Sequence, residues 1–352
     1  MLYYLVFSVL LGLCYFLLFI IYKRGWHKVK TQYDTPKLTG TSLPFVTIII
    51  PARNEAYNIA TLLDSIINNE YPNSEFEIIV IDDFSEDATA SLAENTFQVK
   101  GFSNGKVLHM SKYLEEHNII RAYKKKALEI AIDQSRGEVI ITTDADCIVP
   151  PNWINSIVNS FQDETIQFVA APVLLTPYKK NASILYYFQH LDFMTMQGIT
   201  ASVNAMKMGN MCNGANLAFR KQAFYSVGGY QDISHLASGD DMMLMNKFDS
   251  HFPNSIIYLK ATAAIVSTPV QPDLHSFLQQ RIRWASKSGK YNDSKLNQSL
   301  ILVYLFNCNF LLMGVMGFFD TRIWMTALAL LLIKTTIEFV FLIPVARFFQ
   351  KV

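Results

Sequence analysis

The sequence predicts an α/β domain built on a parallel sheet and attached to a membrane by apolar helices. Three observations carry that expectation. Short β-branched runs alternate with helical patterns for about a hundred residues after Pro44. The uncharged run Leu2–Tyr22 is long enough to cross a bilayer, and the later runs Leu300–Phe319 and Ile323–Val345 are too. Hydrophobic residues make up 51% of the 352, with a mean hydropathy of +0.19, more than a soluble domain usually carries.

The elements follow in order. Leu2–Tyr22 lacks the preceding basic residues and the small-residue cleavage site of a signal peptide, so it is expected to remain as a helix. Lys23, Arg24, Lys28 and Lys30 come next, which puts the following residues on the cytoplasmic side. Thr31–Leu43 is polar, with proline and glycine, and reads as a linker. Phe45–Ile50 is a buried strand, Asn58–Asn69 a helix and Glu77–Ile81 a second strand. Ser85-x-Asp87 resembles a cap for the next helix. Lys106–Met110 is a weak third strand, Tyr123–Ser135 a helix and Val139–Thr143 a fourth strand, which completes a Rossmann-like order.

Beyond Pro151 the order is less regular. Asn152–Gln162 reads as a helix, Gln167–Val173 as one strand and Leu217–Arg220 as another. Ala182–Met206, rich in methionine and aromatics, suits either a core helix or one lying against a membrane. Gly239-Asp240-Asp241 opens a helix running to about Phe248. Leu274–Ser288 mixes Phe277, Leu278, Ile282 and Trp284 with Arg281, Arg283 and Lys287, as an amphipathic interfacial helix does. Lys334 and Glu338, four apart in the last apolar run, are placed to pair structurally. The expected division is a membrane helix at 1–23, a linker at 24–43, a cytoplasmic domain at 44–273, an interfacial helix at 274–298 and two membrane helices at 299–352.

A net charge of +1 gives no argument for nucleic acid as a partner. Cys14, Cys147, Cys212 and Cys308 are scattered, with no C-x-x-C pair, which indicates neither a disulfide framework nor a zinc site and fits a reducing compartment.

The chemistry concentrates where strands end. Asp144-Ala145-Asp146 follows the fourth strand and offers two hard oxygen ligands to one divalent cation, although aspartates at that position also suit a solvated turn. Pro51–Glu55 (PARNE) follows the first strand and Asp82-Asp83 the second. Lys124 stands in a basic run that could equally be a solvated face. Asp240-Asp241 sits at a helix N-terminus, where acids are favoured in any case. Gln280-Arg281-Ile282-Arg283-Trp284 completes the set, and an interfacial helix with a tryptophan anchor would account for it too.

Together, in this order, these motifs resemble the family 2 glycosyltransferases, inverting enzymes with the GT-A fold. The likeness covers about seven-tenths of the chain, from Pro44 to Lys290. The Gln-x-x-Arg-Trp element resembles the membrane-bound branch, with its cellulose, chitin and hyaluronan synthases and ceramide glucosyltransferases. The resemblance implies a GT-A mixed sheet and a set of roles. Pro51, Arg53, Glu55, Asp82, Asp83, Lys124 and Asp144 would bind the donor, most simply a UDP-hexose. Asp146, with Asp144, would hold Mg²⁺ or Mn²⁺. Asp241 would be the general base, with Asp240 where the family often has glutamate. Gln280, Arg283 and Trp284 would close over the donor. Asn213, Gly214 and Asn216 loosely match an acceptor segment.

Polymer-exporting relatives use more membrane helices than three, so the expected acceptor is a membrane lipid or a lipid-linked sugar. The expected setting is a bacterial inner membrane or its equivalent, with the catalytic domain cytoplasmic. The alternatives are a processive β-glycan synthase and a non-catalytic nucleotide-sugar-binding scaffold.

Overall fold

The structure, a computed structural model, describes residues 1–32, 43–113, 123–177, 183–231, 239–288 and 293–350. Helix α1, Leu2–Lys28, leads to the sheet domain. There β1 (Val46–Ala52), α2 (Ile59–Ile67), β2 (Phe76–Asp82), α3 (Thr89–Val99), β3 (Gly105–His109), α4 (Tyr123–Asp133) and β4 (Val139–Thr142) alternate as expected. After α5 (Trp153–Ser160) come β5 (Phe168–Ala170), β6 (Val173–Thr176), α6 (Ile184–Met206), β7 (Leu217–Arg220) and α7 (Lys221–Ser226). Then follow α8 (Asp240–His251), β8 (Ile256–Tyr258), β9 (Val266–Pro269), α9 (Leu274–Ser288), α10 (Ser294–Met316) and α11 (Thr321–Phe349).

Among the described residues, seven strands form one sheet in the order β3-β2-β1-β4-β7-β5-β8. Strands β1 to β4 pair in parallel, and β7 runs antiparallel between β4 and β5. The sheet is therefore mixed, as the GT-A expectation has it. Central strands covered on both faces need apolar side chains on both, and β1 and β2 have them. Ile48 and Ile50 pack with α2 and α5 on one face, while Ile49 joins a core that continues through α4 and α6 into the apolar helices. The strand expected over Gln167–Val173 divides in two. Pro172 has no N–H to continue a ladder, so the chain leaves the large sheet there, and β6 pairs with β9 as a separate two-stranded sheet.

Among the described residues, three helices are long and apolar enough to cross a membrane: α1, α10 and α11. Asp293 caps α10 by accepting from the Lys295 and Leu296 N–H groups, so that helix starts earlier than the apolar run suggested. Lys334 and Glu338 do pair, 2.7 Å apart, and Tyr15 of α1 donates its hydroxyl to the same carboxylate. Helix α6 joins these helices to the sheet. A Cβ at Gly25 would stand 2.7 Å from the Ser202 carbonyl oxygen, so only glycine lets α1 and α6 come this close.

A second junction forms where α1 ends. The Lys260 ammonium donates to the Trp26 carbonyl at 2.9 Å and lies 3.8 Å from the centre of the Trp26 ring. Burial pushes Lys260 down to about 8. The folded protein therefore holds this proton less tightly than the unfolded chain, and stability should rise as the pH climbs above about 8. A melting-temperature series from pH 7.5 to 10 in detergent is expected to show that rise. Lys260→Met should flatten it, and an equal slope in both proteins would remove Lys260 as its source.

Candidate active site

Adjacent parallel strands whose connections leave in opposite directions open a crevice at their carboxyl ends. Here β1 lies between β2 and β4, and that crevice receives the loops after all three. The first two loops are laced together. Asn54 N–H donates to Ser85 Oγ at 3.0 Å, Glu55 N–H to Thr89 Oγ1 at 2.7 Å and Ala56 N–H to Asp87 at 3.1 Å. Asp87 also accepts from Thr89 N–H, so the Ser85-x-Asp87 segment both turns the chain into α3 and fixes the PARNE loop.

Asp82 and Asp83 separate in role. Asp82 is buried, accepts from Ser85 N–H at 3.3 Å and lies 3.5 Å from His109, which commits it to the loop itself. Asp83 is partly buried, which raises its pKa against the opposing pull of Arg53. Of the expected pair, Asp83 with exposed Arg53 is the one able to meet a ligand.

A cavity of about 360 Å³ gathers the later motifs. Lys124, Asp144, Asp146, Asp241, Arg283 and Trp284 line it, with Asn213, Gly214 and Gln280 also in its wall. Lys124 Nζ donates to Asp144 Oδ1 at 2.8 Å. Partial burial pushes Asp146 up to about 6, and the nearby Asp144 and Glu55 charges add to the rise. Glu55 is raised by burial as well, with Asp144 contributing, so the PARNE loop stands within electrostatic reach of the aspartates. A divalent cation would relieve this crowding of carboxylates, and the donor set of hard oxygens suits one. Among the described residues no three His, Cys, Asp or Glu side chains converge as a metal cage, so a cation held by Asp144 and Asp146 would take further oxygens, such as those of water or a bound phosphate.

Asp241, the second residue of α8, faces the same cavity. Gly239 precedes the helix at φ +86°, a left-handed turn that glycine adopts without strain. The Asp241 carboxylate accepts from Gly214 N–H at 3.0 Å and from its neighbour Met242 N–H at 2.9 Å, which fixes its orientation. The side chain of Asp240 lies outside the described residues.

Gln280, Arg283 and Trp284 reach the cavity together because positions three and four apart share a helix face. Arg281, on another face of α9, has a part that the motif reading missed. It pairs with Asp192 of α6 and lies over the Trp284 ring, 4.5 Å from its centre. That contact ties α9 to α6. Strand β9, also missed, brings Thr268 into the cavity wall with Asp146. The only sequence signal for it was a short β-branched run, Ile265–Thr268.

Asn216 corrects an expectation. It was placed with the acceptor, yet its side chain is wholly buried, accepting from Trp153 Nε1 at 2.9 Å and donating to the carbonyls of Pro172 and Ala264. The turn at 213–216 points Asn213 and Gly214 into the cavity and Asn216 into the core. Asn216→Ala would strand these partners at about 1–3 kcal/mol each. Its expected effect is a lower melting temperature with unchanged substrate KM, and a KM effect at unchanged stability would restore the acceptor role.

Comparison with known proteins agrees with this architecture. The chain is 26% identical to Glycosyltransferase AglE of Haloferax volcanii over 202 residues, 57% of this chain and 60% of that one. It is 28% identical to the beta-monoglucosyldiacylglycerol synthase of Trichormus variabilis over 246 residues, 69% of this chain and 49% of that one. A hyaluronan synthase of Streptococcus pyogenes is 24% identical over 266 residues, 73% of this chain and 58% of that one. The chain thus spans about half to three-fifths of the length of these curated relatives. Its fold matches a mannosyltransferase of Pyrobaculum calidifontis, solved with GDP-mannose and Mn²⁺, at a TM-score of 0.65 over 99% of both chains and 19% identity. The model for Glycosyl transferase family group 2 matches residues 139–347. With the Glycosyl transferase family 2 model matching residues 47–227, the parallel half of the sheet and the cavity-lining residues from Lys124 to Ala215 fall inside or beside one family domain, and the chain belongs to glycosyl transferase family 2.

Proposed function

We propose that this protein transfers a hexose, with inversion, from a nucleotide sugar to a lipid acceptor at the cytoplasmic face of a membrane. One observation carries the reading: Asp144, Asp146, Asp241, Arg283 and Trp284, far apart in sequence, line a single cavity in a chain that also has three membrane-length helices. UDP is the favoured carrier, because the Asp83 carboxylate is suited to accept from uracil N–H or ribose hydroxyls.

Arg53 and Asp83 would receive the nucleoside, and Lys124 and Arg283 would offset charge on the diphosphate. Asp144 and Asp146 would hold Mg²⁺ or Mn²⁺, which when bound stabilises the departing nucleoside diphosphate. Trp284 supplies an apolar wall beside the sugar. Asp241 takes the proton of the acceptor hydroxyl as its oxygen attacks C1 from the face opposite the diphosphate. A single displacement of this kind converts an α-linked donor into a β-glycoside.

The membrane side of the reading rests on α6 and α9. Leu274, Leu278 and Ile282 are exposed at four-residue intervals on α9, and Ile184, Tyr187, Phe188 and Leu191 are exposed on α6. Such stripes suit helices lying in a lipid interface. Lys23, Arg24 and Lys28, at the end of α1, favour the cytoplasmic side for the domain.

The test is incubation of membranes containing the protein with labelled UDP-hexoses and GDP-mannose. Label extracted with lipid, dependent on added divalent metal, is the expected product. Label in a polymer would favour a glycan synthase instead, the activity in the name of the Streptococcus relative. Retained UDP binding with neither transfer nor hydrolysis would favour a scaffold.

A further inference from the structure

Beside the first cavity lies a second, of about 300 Å³, which shares Phe193, Asn213, Asp241 and Trp284 with it. The rest of its wall is mainly apolar: Met196 of α6, Met211, and Leu296 and Leu300 of α10. Leu296 and Leu300 are one turn apart near the start of a helix long and apolar enough to span a bilayer. One wall thus carries the Asp241 carboxylate and another belongs to a candidate membrane span. Among the described residues, no lysine or arginine lines this cavity. Arg281 comes 3.1 Å from the Met196 sulfur, but it is paired with Asp192.

We propose that this cavity seats the reactive end of an uncharged lipid alcohol, a free hydroxyl on an acylglycerol-like or ceramide-like root, and not a lipid phosphate. The inference rests on the reading of Asp241 as a base. A phosphate acceptor is already ionised at neutral pH and needs cations rather than a base. Placed here, it would lose water against a carboxylate of its own sign, and none of the described lining residues is a lysine or arginine that could offset the loss. A hydroxyl brings no charge, and it does need its proton removed. Its oxygen bonds to sugar C1 while the bond from C1 to the β-phosphate oxygen breaks. The electron pair leaves with the nucleoside diphosphate, and the proton goes to Asp241. At about 30 Å³ per small group, the cavity takes roughly ten non-hydrogen atoms, enough for the polar root and the first methylenes. The remaining chain then follows Leu296 and Leu300 toward the bilayer, where burial of each further methylene is favourable.

The experiment labels the full-length protein in phosphatidylcholine vesicles with a diacylglycerol carrying a diazirine on its acyl chain, without any sugar donor. The expected result is adducts on Met196, Met211, Leu296 or Leu300, reduced about tenfold by excess plain diacylglycerol and unaffected by polyprenyl phosphate. Leu300→Trp, which fills the cavity, should lower the labelling similarly with UDP binding intact. Competition is read on the wild-type protein, so the test stands even where that variant does not fold. Adducts confined to the outer faces of α10 and α11, or displacement by polyprenyl phosphate alone, would overturn the proposal while leaving sugar transfer in place. Cavity labelling in a protein that transfers no sugar to any lipid would overturn the catalytic reading, and the acceptor role with it.

Discussion

Asp241→Asn is expected to lower sugar transfer by about 10²- to 10⁴-fold, the range over which a positioned base acts. UDP binding should stay close to that of the unaltered protein. Asp241 is oriented by the Gly214 and Met242 N–H groups on its two oxygens, and it lines both the donor-side and the apolar cavity. An amide in its place cannot take a proton, and it turns an N–H toward one of those donors. Part of the loss is therefore geometric. Asp241→Glu separates the two contributions, because it keeps the base and displaces it by one methylene. Partial activity in the glutamate variant with almost none in the asparagine variant is the expected pattern. Equal loss of transfer and of UDP binding would move Asp241 from the acceptor side to the donor side.

The second large effect is expected at Asp146. Asp146→Ala should lower transfer by about a hundredfold or more, as when one preorganised contact to a developing charge is lost. It should also abolish the dependence of UDP binding on added Mg²⁺ or Mn²⁺. The basis is the setting of Asp146, whose partial burial, with the nearby Asp144 and Glu55 charges, pushes it up to about 6. Titration calorimetry of UDP with and without metal reads the effect. An Asp146→Ala protein that keeps a full metal response would place the cation elsewhere.

Much of this was legible in local sequence. The runs at Phe45–Ile50, Glu77–Ile81 and Val139–Thr143 became the buried centre of the sheet because a strand covered on both faces needs mostly apolar side chains on each, and the buried Glu77 is an exception held by Thr47 and Arg136. Asp83, Asp144 and Asp146 stood out as candidates because strand ends are where such a sheet presents its ligands. Other residues could not be read in this way. Asn216 has the same side chain whether it faces a cleft or a core, and its partners Trp153, Pro172 and Ala264 come from three separate segments. Arg281 looked like one more charge on a basic helix, and only the approach of α6 brings it to Asp192. Strand β9 is four residues long, and its partner β6 was hidden inside a strand interrupted by Pro172.

By itself the sequence determined the α/β class, the membrane-length helices and the residues able to do chemistry, since these depend on periodicity, run length and side-chain type over a few neighbours. Only the tertiary structure decided which of those residues share a cavity, that Asn216 turns away from it, and that an apolar pocket joins Asp241 to α10. Those outcomes arise from contacts between segments distant along the chain, and their packing energies belong to pairs of surfaces that no single stretch of sequence contains.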